Sequence, residues 1–241
     1  MRPVRKKEGN RLTAIMQVRN EENRFLEKVL QSLTDVVDDM VIVDDNSTDR
    51  TVELCKSFSK VKEVVELKES SFHEEWVLRS RLWKEVCKYE PDWILSIDAD
   101  EMFEENVQEE IRSLINQDQF DWVAFRMYDF WGSTTHYRED EHWNLHKRHS
   151  KMLVRHLPGF PYYYLQQEHH VHRIPFSYNA LWGSLSDVRV KHFGWAGSMD
   201  ERRKKYERYK QIDPEGKWGS LVQYESILDP NPNLVEWRNR E

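Results

Sequence analysis

Trp93-Ile94-Leu95-Ser96-Ile97-Asp98-Ala99-Asp100-Glu101 is an apolar run that ends in three acidic residues within four positions. The run Trp93 to Ile97 is short and β-compatible, and it reads as a buried strand. Carboxylates inside such a strand would carry a large desolvation penalty, so they must emerge at its carboxyl end, where open α/β sheets place their ligands. Asp98 and Asp100 flank Ala99 and point the same way on an extended chain. Two hard oxygen ligands on one side suit Mg²⁺ or Mn²⁺, ions commonly held together with substrate phosphates. An Asp-x-Asp read by itself fits a second description equally well, as the acidic first turn of a following helix.

The rest of the chain narrows the choice. Its 241 residues include 33% charged, 39% hydrophobic and thirty aromatic side chains, a globular composition with an aromatic-rich core. A net charge of −7 argues against a nucleic-acid-binding surface. An anionic ligand would then need a cation, an Arg or a helix N-terminus. Cys55 and Cys87 lack metal-type spacing and read as buried thiols of a reducing compartment. No apolar run approaches the roughly 20 residues of a membrane span, and the basic stretch Met1 to Arg11 lacks a signal-peptide core. The expectation is a cytosolic protein, which leaves room for lipid-linked acceptors at the inner face of a membrane.

Upstream of the opening stretch, Leu12 to Val18 and Met40 to Val43 read as strands, and Val61 to Leu67 as a third. Between the first two, Phe25, Leu26, Val29, Leu30 and Leu33 recur at helical spacing. The second strand runs into Asp44-Asp45-Asn46-Ser47-Thr48-Asp49, where Asn46, Ser47 and Thr48 are N-cap types for the next helix. Asp44 and Asp45 therefore fall on the same rim as Asp98 and Asp100. In the helix expected from about 73 to 90, Arg79 lies on or beside the stripe of Leu82, Trp83 and Val86, and an inward charge needs a partner. That partner is either a strand-end Asp or an anionic ligand. A helix over about 105–116 and a strand Trp122 to Trp131 follow. Alternating strands and helices predict a mostly parallel, helix-flanked sheet with a crevice at the carboxyl ends. With eight glycines and no Gly-x-Gly-x-x-Gly or Walker loop, phosphate binding through a metal takes the place of a Gly-rich cradle.

The series TAIMQVRNEE, DDMVIVDDNSTDRT, LRSRLW and DWILSIDADE resembles, in order and spacing, the nucleotide-binding half of family 2 glycosyltransferases of the GT-A fold. The resemblance covers about residues 12–103. It implies one GT-A domain over 1–241, Rossmann-like, with a nucleotide-sugar half (12–131) and an acceptor half (132–241). It implies a nucleotide-diphospho-sugar donor and Mn²⁺ or Mg²⁺ as cofactor. By this likeness Asp45 accepts from the base, Gln17 and Arg19 line the nucleotide pocket, and Arg79 reaches the nucleotide. Asp98 sits near the ribose or the metal's water shell, and Asp100 is the direct metal ligand. The family often has an aromatic or Thr near Arg19, so the base stays open, although guanidinium stacking could replace a ring.

From His136 the composition changes. Eight of ten histidines lie between His136 and His172, among Tyr137, Trp143, Phe160, Tyr162, Tyr163 and Tyr164. None of them forms a His-Glu-x-x-His pair, so they read mainly as hydrogen-bonding residues, and the aromatics as core or as sugar-stacking surfaces. Lys151 to His156 reads as a strand. In Val188-Arg189-Val190-Lys191-His192-Phe193-Gly194-Trp195, His192 faces the side of Val188 and Val190. His-aromatic-Gly-Trp at this place resembles the element that completes the metal shell in bacterial family members, which makes His192 a third ligand. Inverting transfer needs a base, and by position the resemblance favours Glu168, with Asp187, Asp140 and Glu141 as rivals. Ser198-Met199-Asp200-Glu201 is a capping box opening a basic helix, read as a solvated face or one that meets anionic acceptors or phospholipid head groups.

These readings converge on metal-dependent, inverting sugar transfer to a hydroxyl of a cell-surface saccharide or lipid-linked glycan. A sugar nucleotidyltransferase would want a Gly-rich phosphate loop after the first strand, where Arg19-Asn20-Glu21-Glu22 stands. A non-catalytic nucleotide- or sugar-binding protein of the same fold would not need the whole set Asp45, Asp98, Asp100 and His192. A His-rich hydrolase would need ligand spacing that these histidines lack.

Overall fold

A computed structural model describes residues 5–71, 74–167 and 171–240. Its first half alternates strand and helix: β1 (Leu12–Val18), α1 (Leu26–Leu33), β2 (Asp39–Asp44), α2 (Thr51–Lys56), β3 (Val61–Glu66), α3 (Glu75–Cys87) and β4 (Trp93–Ser96). The chain continues through β5 (Glu101–Phe103), α4 (Gln108–Ile115), β6 (Trp122–Trp131), β7 (His136–Arg138) and β8 (His149–Arg155). It closes with β9 (Gly183–Trp195), α5 (Met199–Ile212), α6 (Leu221–Glu225) and β10 (Leu234–Glu236).

The strands form as their residues dictate. Every residue of β2 is buried, as a strand covered on both faces must be. In α1 the buried set is Leu26, Val29, Leu30 and Leu33, one helical stripe, each side chain worth roughly 1.5–3 kcal/mol of burial. β3, β2, β1 and β4 are parallel neighbours in that order. Val18 pairs with Asp44 and Ile15 with Ser96, so the carboxyl ends of β1, β2 and β4 reach one rim.

The parallel sheet holds over these four strands. β8 then enters antiparallel between β4 and β6, so β6 continues the sheet at one strand's remove. β9 runs parallel to β6 along its other edge and antiparallel to β5. His192 is thereby placed opposite Asp129 of β6 and opposite Glu101 of β5.

Glu101 differs from the helix-start alternative. It lies in a three-residue strand, fully buried, and the following helix begins at Gln108. The N-cap expectation for Asn46, Ser47 and Thr48 also changes. Arg50 stands at the N-cap of α2 without a side-chain cap, and Asp49 accepts from the Thr51 backbone N–H at 3.0 Å, whereas Ser47 bonds back to Asp44. Much of the aromatic run is core: Tyr162, Tyr164 and Tyr178 pack in one cluster with Trp83. The capping box at Ser198 and Glu201 is formed, and Asp213 ends α5.

Candidate active site

Above the rim lies a cavity of about 570 Å³. The ends of β1 and β2 supply Gln17, Arg19 and Asp45, α3 supplies Glu75 and Arg79, and the segment after β4 supplies Asp98 and Asp100. His192 and Trp195 come from β9, and Lys205, Arg208 and Tyr209 from α5. All the residues expected for nucleotide and metal binding therefore line one space.

At the β1–β2 end, Asp45 is buried and accepts from Ser70 Oγ and from the Ser71 backbone N–H, each at 2.6 Å. Arg19 Nη1 lies 3.4 Å from its carboxylate. Gln17 Oε1 is buried without a hydrogen-bond partner among the described residues. A buried orphan acceptor costs roughly 1–3 kcal/mol and suits a ligand N–H or O–H.

Arg79 is buried on α3 and reaches Asp98 at 3.2 Å and Glu75 at 3.2 Å. Its partner in this structure is thus the strand-end Asp, on the wall of the same cavity. Arg173 Nη2 lies 3.5 Å from Asp98 and forks onto both oxygens of Glu101. Burial disfavours charge on Asp98, but Arg79 and Arg173 outweigh it and hold the carboxyl well below the usual range.

Opposite this pair, His192 Nε2 stands 3.8 Å from Asp100 Oδ1, while its Nδ1 bonds Asp129 at 2.7 Å. Burial works against an imidazolium, yet Asp100 and Asp129 raise the His192 pKa to about 9. Asp100, Glu101 and His192 each bring one ligand atom within 4.8 Å of the others. The set fits a divalent cation on two further grounds. The Asp129 bond orients the imidazole, as an outer partner of a metal-bound His does. Gly194 keeps the space open, because a Cβ there would lie 2.6 Å from His192 Nε2 and 3.2 Å from Asp100 Oδ2. Glu101 is committed to Arg173, so the two side chains able to ligate are Asp100 and, once a cation displaces its Nε2 proton, His192.

Two further groups carry shifted protons. Burial pushes Glu21 up to about 7 against the pull of nearby Arg24. Burial pulls Lys205 down to about 8.

The expected bases separate. Glu168, with His169 and His170, lies outside the described residues. Asp187 is exposed on β9 and does not line the cavity. It stands where the pairing of β9 with β6 shifts register, between Leu185 and Arg189, outside the residues that line the cavity. Asp140 pairs with Arg138 and caps its own loop. Glu141 lines a second cavity of about 430 Å³, which meets the first at His192 and Trp195.

Sequence reasoning missed Glu101 as a buried strand residue, Arg173, Asp129 and the inner face of α5. Asp129 had a signal: an acid inside the apolar strand Trp122 to Trp131 needs a partner. Arg173 had none, since its partner is 72 positions away.

The profile of glycosyl transferase family 2 matches residues 13–175. The chain belongs to this family. An uncharacterised glycosyltransferase of Rickettsia bellii is 32% identical over 123 residues, covering 48% of this chain and 37% of the relative. An uncharacterised protein of Mycobacterium tuberculosis is 25% identical over 227 residues, 90% of this chain and 54% of its own length. The chain thus spans about half, or less, of the relatives it matches. TarS of S. aureus (residues 1–349, with UDP) superposes with a TM-score of 0.57 at 17% identity, over 90% of this chain and 69% of that one. The mannosyltransferase PcManGT of Pyrobaculum calidifontis, with GDP-Man and Mn²⁺, gives 0.50 at 12% identity, over 93% and 70%. The fold is GT-A. No helix among the described residues is long and apolar enough to cross a membrane.

Proposed function

We propose that the protein transfers a sugar from a nucleoside-diphosphate sugar to a hydroxyl acceptor, with a divalent cation and with inversion. The observation that carries this reading is the gap kept open by Gly194 between Asp100 and His192, on the wall of the cavity that also holds Asp45 and the orphan Gln17 acceptor. Gln17, Arg19 and Asp45 hold the base, with the guanidinium of Arg19 as its stacking plane. Arg79 fixes Asp98 beside the ribose. Asp100 and His192 hold Mn²⁺ or Mg²⁺, which when bound neutralises charge on the diphosphate. The related folds seen with UDP and with GDP-Man support a nucleoside-diphosphate donor and leave the base open.

The acceptor is a hydroxyl of a cell-surface saccharide or lipid-linked glycan, and Glu168 takes its proton as the new bond forms. Support for Glu168 comes from its chain neighbours. The Val171 backbone N–H donates to Glu75 at 3.2 Å, and Arg173 grips Glu101, which ties that segment to the cavity wall.

The test is a screen of UDP-, GDP-, dTDP- and ADP-sugars with Mn²⁺ or Mg²⁺, read first as thermal stabilisation and then as slow donor hydrolysis. One donor should stabilise the protein only with metal, and Asp100→Ala should abolish the effect. Stabilisation that persists unchanged in Asp100→Ala rejects the metal–diphosphate reading.

A further inference from the structure

The inner face of α5 carries a feature that the donor reading leaves unexplained. Lys205, Arg208 and Tyr209 are spaced i, i+3 and i+4, so they share one helix face, and that face lines the cavity. The helix is firmly set. Its start is fixed by the capping box at Ser198, and Arg202 is buried, donating to Gly197 O at 2.5 Å.

Lys205 extends from this face toward the metal gap. Its ammonium donates to the carbonyl of Gly194, the same residue whose missing side chain opens the space between His192 and Asp100. It also lies 4.8 Å from the centre of the Trp195 ring. None of the ion pairs among the described residues includes Lys205, whereas the buried Arg79, Arg138 and Arg155 each have a carboxylate partner. An ammonium has three donors, and Gly194 takes one. Sequestering a lysine there costs desolvation, which a neutral residue bonded to nothing would avoid. One glycine therefore positions two cationic centres: a metal in front of its Cα, and Lys205 on its carbonyl.

We infer that Lys205 binds the terminal phosphate of the nucleoside diphosphate and receives the charge that develops there when the sugar departs. This inference rests on the donor reading above. In the transfer step the bond between the anomeric carbon and the diphosphate oxygen breaks, and its electron pair stays on that oxygen. The acceptor oxygen forms the new bond, and its proton goes to the base. A donor from Lys205 at the leaving phosphate strengthens as that charge grows. Lys205 would thus share with the metal the work of holding the leaving group.

The experiment is calorimetric titration with Mn²⁺ present, using UDP, GDP, ADP and dTDP beside UMP, GMP, AMP and dTMP. For the diphosphate that the wild type binds, Lys205→Met should weaken affinity by roughly tenfold or more, the size of a lost charge-assisted bond. Affinity for the matching monophosphate should change by less than about twofold, and Lys205→Arg should recover most of the loss. A Lys205→Met protein that binds the diphosphate as the wild type does, or that loses both nucleotides equally, overturns the inference and leaves the donor reading standing. A wild type that binds none of the diphosphates overturns both. If the variant does not fold, acetylation of the wild-type lysines read by mass spectrometry decides. The diphosphate with Mn²⁺ should protect Lys205 and the monophosphate should not, and equal labelling in both overturns the inference.

Discussion

Gly194→Ala is the smallest change aimed at the centre of the site. The added Cβ would lie 2.6 Å from His192 Nε2, 2.9 Å from its Cε1 and 3.2 Å from Asp100 Oδ2. The ring has no free direction of retreat, because its Nδ1 is tied to Asp129 at 2.7 Å and its strand is paired on both sides by β5 and β6. Relief therefore costs the Asp129 bond, the ligand geometry, or both. Loss of an outer partner of a metal-bound His typically lowers metal affinity by about 10–100-fold, and occlusion by a methyl group should do at least as much. Global stability should change less. Overpacking costs roughly 1–3 kcal/mol, partly offset by about 0.4–1 kcal/mol from the lowered entropy of the unfolded chain. The assay is Mn²⁺ titration by electron paramagnetic resonance in the presence of the bound nucleoside diphosphate, beside thermal unfolding of both proteins. A folded Gly194→Ala protein whose Mn²⁺ affinity stays within twofold of the wild type would refute the assignment of the metal to this gap.

Other outcomes follow from the same geometry. Arg173→Met strands the fully buried Glu101 carboxylate, which should cost roughly 3–5 kcal/mol in urea unfolding, and a loss below about 1 kcal/mol would show that the pair is not structural. Asp38 feels burial first, which raises its pKa, but Arg112 and the Leu12 backbone N–H lower it further than burial raises it. A depressed carboxyl gives stability that is present above its unfolded pKa and is lost as pH falls through the folded one. The Tm advantage of wild type over Asp38→Asn should accordingly shrink below about pH 4, and an advantage that grows with acid would contradict the sign. Glu168→Gln should slow transfer by about 10²–10⁴-fold with donor affinity retained in the same calorimetric assay, and full transfer by this variant would remove Glu168 as the base.

The first half was legible because its signals are local. β1, β2 and β4 are short runs of mainly apolar residues, and each acidic residue at their carboxyl ends had to leave the core by the shortest route, which is the rim. Arg79 was legible for a related reason, since a charge on the Leu82–Trp83 stripe implies a partner within reach. The second half resisted because its determinants are distant in sequence. Nothing in His149 to Arg155 says that this strand inserts antiparallel between β4 and β6. Glu101 stayed open to a helix-start reading because the cation that allows its burial, Arg173, lies far along the chain in a segment without periodicity. On α5 the charges go around the whole helix, and only the packing of Arg202 and Trp195 shows which of them turn inward. Asp187 lies on an exposed part of β9 away from the cavity lining, which nothing in its local sequence reveals.

On the proposed reading, a divalent cation sits between Asp100 and His192 and meets the diphosphate of a sugar nucleotide. Crystals grown with Mn²⁺ and the nucleoside diphosphate selected by calorimetry, measured near the manganese absorption edge, test it directly. One anomalous peak is expected within ligand distance, about 2.0–2.3 Å, of a carboxylate oxygen of Asp100 and of His192 Nε2, with a phosphate oxygen on its open side. A peak on other residues, or nucleotide bound in this cavity with no manganese beside Asp100, would contradict it.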